Sequence, residues 1–241
     1  MNWNNPLSEW MRKRGVTLSG MAREGDFQRE AFIRSTIRDA KNRVHLGTPL
    51  IDIPFTVFDL ETTGFHPQQG DEILSIGAIR VIKGRVEETP LFHTYVRFES
   101  AIPSEITTLT GITNMDTVNA PSLKEALADW LRYIGTSTLV AYGANHDTAF
   151  IQVGLKKTWS SRLPHRVIDC LQIVRLLYPD WTDYSLDAAL HFHDIPIDGR
   201  HTADGDARMT AALLVKLIKR CSYHQIHTLE DLYARLSRMV K

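Results

Sequence analysis

The chain has 241 residues, 28 Lys/Arg balanced by 28 Asp/Glu, and 43% hydrophobic residues. This is the composition of an ordinary globular domain with short appendages, and no apolar run reaches the ~20 residues of a membrane span. Met1-Asn2-Trp3-Asn4-Asn5 leads into no apolar signal core, so a cytoplasmic chain with no membrane association is expected, and two cysteines, Cys170 and Cys221, make no disulfide framework.

Charge is unevenly spread. Residues 1–50 hold nine Lys/Arg against five Asp/Glu, residues 219–241 five against two, and residues 51–218 fourteen against twenty-one. An acidic middle between basic ends argues against a chain whose whole surface grips nucleic acid.

Residues 6–18 and 26–44 read as helices, the first with Asn5-Pro6 as cap and first-turn proline. Gly47-Thr48-Pro49 ends them, leaving 1–50 as a helical N-terminal arm. Phe55–Leu60 then reads as a strand, Ile73–Ile82 as a long β-branched strand ending at Lys83-Gly84, and Phe92–Phe98 as a third strand. Ser122–Ile134 carries Leu123, Leu127, Trp130, Leu131 and Ile134 on one helical face. A short strand at Thr138–Tyr142, a helix at Asp147–Lys157, a brief strand at Val167-Ile168 and helices through Leu177 and over Ser185–His193 follow. Ala203–Arg220 is a strong helix, and Thr228–Val240, capped by Thr228, closes the chain. Strands first, then alternating helices and strands, give an α/β domain with a mixed sheet over 51–220 and a C-terminal helix in 221–241.

Chemistry concentrates at element ends. Asp59 and Glu61 stand two apart at the end of the first strand, so both carboxylates face one side. Neighbouring charges in an apolar setting need a compensating cation, and the nearest basic residues in sequence are Arg43 and Arg80. A divalent cation, which prefers carboxylate oxygen, is the natural candidate. Asp147 opens a helix after a strand; Asp206 lies in the first turn of the Ala203 helix; His201 lies five residues before it. Singly, each has a plain reading: a solvated strand end, a helix cap, a solvated loop histidine. Together, four carboxylates at strand ends and helix starts suit two divalent cations about 4 Å apart, with the histidine as general base for a water attacking phosphorus. His191-Phe192-His193 and Cys221-x2-His224-x2-His227 lack the paired spacing of a zinc site. Lys156–Arg162, around Trp159, reads as a basic loop that either meets a strand or is simply solvated.

The order and spacing of these residues resemble the DEDDh 3′–5′ exonucleases, the superfamily of the epsilon proofreading subunit of bacterial DNA polymerase III, RNase T and oligoribonuclease. The likeness rests on Val57-Phe58-Asp59-Leu60-Glu61-Thr62-Thr63-Gly64, on Ile102–Thr113, on Val167-Ile168-Asp169 and Tyr184-Ser185-Leu186-Asp187, and on His201-x4-Asp206-Ala207. It spans roughly 54–218. It implies an RNase H-like five-stranded mixed sheet flanked by helices, with helical N- and C-terminal extensions. It implies Asp59, Glu61, Asp147 and Asp206 as ligands of two Mg²⁺ or Mn²⁺ ions and His201 as the base. Leu60, Thr62, Gly64 and Leu109 would meet the terminal nucleotide, Thr62 near its 3′-hydroxyl.

The chain departs from the family's His-Asn-Ala-x-Phe-Asp motif, which here reads Tyr142-Gly143-Ala144-Asn145-His146-Asp147. The aspartate stays, while Gly143 replaces the amide and His146 the phenylalanine. The expected activity is hydrolysis at 3′ ends of single-stranded nucleic acid, with DNA favoured, releasing nucleoside 5′-monophosphates in proofreading, repair or turnover. The alternatives are an RNA-directed exoribonuclease of RNase T or oligoribonuclease type, and a weakly active module bound to a DNA polymerase or repair protein through the terminal helices.

Overall fold

A computed structural model describes residues 30–31, 33–36, 38–39 and 44–239. The helix expected over 6–18 lies outside them; of the one expected over 26–44, the described residues of 30–39 are helical. Ile33, 1% exposed, joins the core beside Trp130, and Glu30 pairs with Lys124 at 3.1 Å.

Among the described residues, five strands form one mixed sheet in the order β3-β2-β1-β4-β5. β1 (Phe55–Thr62) lies at its centre, antiparallel to β2 (Ile73–Ile82) and parallel to β4 (Thr138–Ala141). β5 (Val167–Asp169) continues the parallel half, and β3 (Arg85–Tyr95) closes the antiparallel edge. β3 starts seven residues before the strand expected at Phe92. Pro90 masks it in the sequence, because proline lacks the ladder N–H. The residue falls where the β2–β3 register shifts, on an edge strand that tolerates it.

Alternation along β1 divides the core. Phe55 and Val57 pack with Val140, Ile168 and the inner face of α7 (Ala203–Tyr223), through Ala207, Ala211 and Leu214. Phe58 and Leu60 face the other layer, made by α3 (Leu123–Ile134) and α4 (Asn145–Trp159), where Trp130 is fully buried 5.5 Å from Phe58. Fully burying one such aromatic contributes about 1.5–3 kcal/mol.

The Ile102–Thr113 stretch folds as α1 (Ser104–Thr110), closed by Gly111 at φ +74°, and leads into α2 (Asn114–Thr117). Its threonines carry weak helix propensity, which leaves no helical period in the sequence. α5 (Cys170–Leu177), α6 (Leu186–Phe192) and α8 (Leu229–Met239) complete the first layer. α7 runs past Arg220 to Tyr223. Leu229 and Leu232 of α8 are buried in the main core, and the Leu50 N–H donates to His227 O at 2.8 Å. Among the described residues, no helix is long and apolar enough to cross a membrane.

Candidate active site

Strand alternation and one helix start assemble the acidic cluster. Asp59 and Glu61 continue the Phe55–Val57 row, and that row lies under α7, whose first turn carries Asp206. One carboxylate oxygen from each of Asp59, Glu61 and Asp206 comes within 4.8 Å of the others. Among the described residues this is the one such group of three.

α7 starts where it does because of a tight loop. The Thr202 hydroxyl donates to Gly199 O at 2.6 Å and accepts the Gly205 N–H at 3.2 Å. His201 has φ +59°, held by these bonds on either side.

Asp147 reaches the cluster by another route. β4 pairs with β1 only through Val57↔Val140, so the β1 edge is open beyond that point. There the Leu60 N–H donates to Asp147 Oδ1 at 3.2 Å. The site therefore occupies the crevice at the carboxyl ends of two adjacent parallel strands, where open α/β sheets bind ligands. Gly143, φ +72°, makes the turn from β4 into α4, and its N–H donates to Asp169 Oδ1 at 2.9 Å, the same oxygen that caps α5. Among the described residues other than its chain neighbours, nothing lies within 4 Å of where a Cβ would stand on Gly143, so what favours glycine over the family's asparagine there is the left-handed backbone and not a clash.

Electrostatics mark the cluster as strained without a cation. Burial, then Asp147, Asp206 and Glu61, raise the Asp59 pKa well above the carboxylate range. Burial and the charges of Asp206 and Asp147 push Glu61 up to about 8. Burial pushes Asp147 up to about 7 against its hydrogen bonds. Asp206 is raised less, because Arg200 and His201 offset its burial. Among the described residues, Asp206 Oδ1 is buried with no hydrogen-bond partner. An orphaned acidic oxygen among two further carboxylates fits a hard divalent cation.

A cation missed in the sequence stands here. Arg200, far from Asp59 along the chain, donates from Nη1 to Asp206 Oδ2 and from Nε to Asp187 Oδ1, both at 2.5 Å. Its only sequence signal is its place in the loop beside His201. Gly77 was also missed: it lies opposite Asp59 in the ladder, inside a run that reads simply as strand.

The expected substrate residues fall around this end of β1. Leu60 is buried in the α3/α4 layer, where its side chain faces away from the carboxylates and its backbone N–H holds Asp147. The Thr62 hydroxyl donates to Gly64 O at 2.7 Å and lies 3.4 Å from His146 Nε2. The His146 ring sits between Phe65 and Phe150, at centroid distances of 5.7 and 4.9 Å. α1 packs through Ile106 on Leu74, near the β2 end that pairs with Thr62, and leaves Leu109 50% exposed. The basic segment is the end of α4 rather than a loop up to Trp159. That side chain packs on the core, and Lys157 pairs with Glu72 at 2.9 Å.

The family described as exonuclease, RNase T type, matches residues 56–214. The chain belongs to this exonuclease family. It is 36% identical over 166 residues to a DNA polymerase III of PolC type from Caldanaerobacter subterraneus, covering 69% of this chain and 12% of that protein. It is 34% identical over 179 residues to the 3′–5′ exonuclease DinG of Staphylococcus epidermidis, covering 74% and 20%. The chain thus spans about an eighth to a fifth of the length of these relatives. The nuclease domain of 3′hExo, a DEDDh member bound to rAMP, superposes with a TM-score of 0.63 at 18% identity, over 71% of this chain and 94% of that one. E. coli exonuclease I in complex with a dT13 oligonucleotide gives 0.61 at 18% identity, over 72% and 42%. These likenesses place the fold among RNase H-like exonucleases.

Proposed function

We propose that the chain hydrolyses single-stranded DNA from its 3′ end with two divalent cations, Mg²⁺ or Mn²⁺, releasing nucleoside 5′-monophosphates. The observation that carries this reading is the Asp59, Glu61, Asp206 cluster with its orphaned oxygen, joined by Asp147 at the open edge of β1. Asp59, Glu61 and Asp206 would hold one cation, and Asp147 would join Asp59 in holding the second. Bound there, the cations would lower the pKa of the attacking water and offset charge on the departing 3′-oxygen. His201, in the loop before α7, takes the proton as water attacks phosphorus. The P–O bond to the penultimate 3′-oxygen breaks, and that oxygen takes a proton from solvent to leave a 3′-hydroxyl on the shortened strand. Thr62, Gly64 and Leu109 seat the terminal nucleotide, while Leu60 acts through its backbone. DNA is preferred by likeness to the PolC and DinG relatives, which also support a role in replication or repair alongside a polymerase or repair protein. The rAMP bound to 3′hExo supports RNA as the second reading.

The test is shortening of 5′-labelled single-stranded DNA, duplex DNA and RNA with Mg²⁺, with Mn²⁺ and with chelator. Metal-dependent loss of 3′ nucleotides, abolished by Asp147→Ala and reduced at least ~100-fold by His201→Ala, is expected. Shortening that persists in chelator, or in both variants, refutes the reading.

A further inference from the structure

We propose that Arg200 is a positioning residue for the cation site: anchored by Asp187, it grips one oxygen of Asp206 and so aims the other at the ligand cluster. The inference rests on the metal-dependent reading above and concerns a residue outside the four acids and His201.

The geometry is specific. The Arg200 side chain is 24% exposed and lies between two carboxylates on different helices, Asp187 in the first turn of α6 and Asp206 in the first turn of α7. Nε faces Asp187 and Nη1 faces Asp206 Oδ2. A planar guanidinium bonded along two edges cannot rotate without breaking one of them, so its orientation is set. Asp206 is thereby left with one oxygen occupied and one, Oδ1, buried and unbonded. That is the oxygen free to serve a cation shared with Asp59 and Glu61. A carboxylate without the grip would turn about its terminal torsion, which is broad for aspartate, and would enter the site through either oxygen.

Arg200 is itself held from behind. Gly199, at φ +69°, and the Thr202–Gly199 hydrogen bonds fasten its loop to the start of α7. A Cβ on Gly205 would lie 2.1 Å from the Gly199 carbonyl oxygen, so glycine at 205 is what lets that loop close down. The guanidinium also passes 3.5 Å from His201 Nδ1, which puts ligand, clamp and general base on one short segment. Outer partners that orient metal ligands typically change affinity by about 10–100-fold when removed. A full positive charge near a cation site has the opposite tendency, repelling the incoming cation. The two roles therefore predict opposite signs.

The experiment is titration of Mn²⁺ into the full chain by calorimetry, for wild type, Arg200→Met, Arg200→Lys and Asp187→Asn, with thermal melts of each in chelator. The expected result is about ten-fold weaker Mn²⁺ binding in Arg200→Met and in Asp187→Asn. Arg200→Lys stays weakened, because an ammonium cannot span both carboxylates edge-on. Asp187 has a side chain 49% exposed, so its asparagine variant tests the anchor even if Arg200→Met does not fold. Unchanged or tighter binding in Arg200→Met makes Arg200 a mere counter-charge and overturns the proposal. So does wild-type affinity in Asp187→Asn or in Arg200→Lys. A wild type that binds no Mn²⁺ refutes the metal reading itself and this inference with it, whereas binding that is equal in all four proteins refutes the inference alone.

Discussion

Gly77→Ala tests how closely α7 must approach the sheet for the site to exist. Gly77 is paired with Asp59 across the β1–β2 ladder. A Cβ there would lie 2.2 Å from both the carbonyl carbon and oxygen of Ala203, and 2.4 Å from the Asp204 nitrogen. These are backbone atoms in the first turn of α7, so no rotamer change relieves the overlap. Restoring ordinary contact requires the helix start to retreat by about 1 Å, and overpacking of this kind costs about 1–3 kcal/mol. Asp206 lies three residues beyond Ala203 on the same rigid turn and must move with it. A misplacement of about 1 Å costs on the order of 10²-fold in rate. Denaturant unfolding should show a midpoint lowered accordingly, calorimetry a weakened Mn²⁺ site, and the labelled-strand assay a rate reduced about 100-fold. Gly154→Ala is the control: its Cβ would lie 2.9 Å from Leu127 Cδ1, a side-chain end that can move, and stability should change by less than about 1 kcal/mol. Gly77→Ala with wild-type midpoint and wild-type Mn²⁺ affinity would refute the close-approach argument.

Other expectations follow from the same site. In chelator, stability should fall as pH rises from about 4.5 to about 8: Glu61 pushed up to about 8 and Asp147 to about 7 keep protons in the folded chain that the unfolded chain has released. The loss is on the order of a few kcal/mol, and unfolding curves at stepped pH that show stability rising over this window contradict it. Saturating Mn²⁺ should flatten that decline, because the cation takes over the work of the bound protons; melts with and without Mn²⁺ at pH 8 measure the difference. His201→Ala should reduce turnover about 10²–10⁴-fold while leaving calorimetric Mn²⁺ affinity intact, as befits a base that is not a ligand. Leu109→Ala should raise KM for single strands roughly five-fold, about 1 kcal/mol of lost apolar contact, with no shift in the melt.

Most of the candidate site was legible because its signals are local. Two-residue alternation alone places Asp59 and Glu61 on one face, and the helix starts at Asp147 and Asp206 follow from the strand–turn–helix pattern around each. The short helices α1 and α2 were not legible, since threonine-rich segments take helical form here only through packing of Ile106 and a capping box between Thr113 and Asp116. β3 was half legible, its first part obscured by Pro90. Along the chain the cations nearest Asp59 are Arg43 and Arg80, but the one that serves this cluster, Arg200, comes from a loop more than a hundred residues away.

The amino-acid order by itself determined the strand that carries Asp59 and Glu61, the sequence in which Asp147, His201 and Asp206 follow, and the exonuclease family that this order marks. These depend on backbone periodicity and on chemistry within a few residues. Only the tertiary structure decided that β4 stops pairing in time for Asp147 to reach the Leu60 N–H, that Gly77 admits α7 against β2, and that Arg200 bridges Asp187 to Asp206. Each of those contacts joins segments far apart in the chain, and no local periodicity records which of them the packing of two layers on one sheet will bring together.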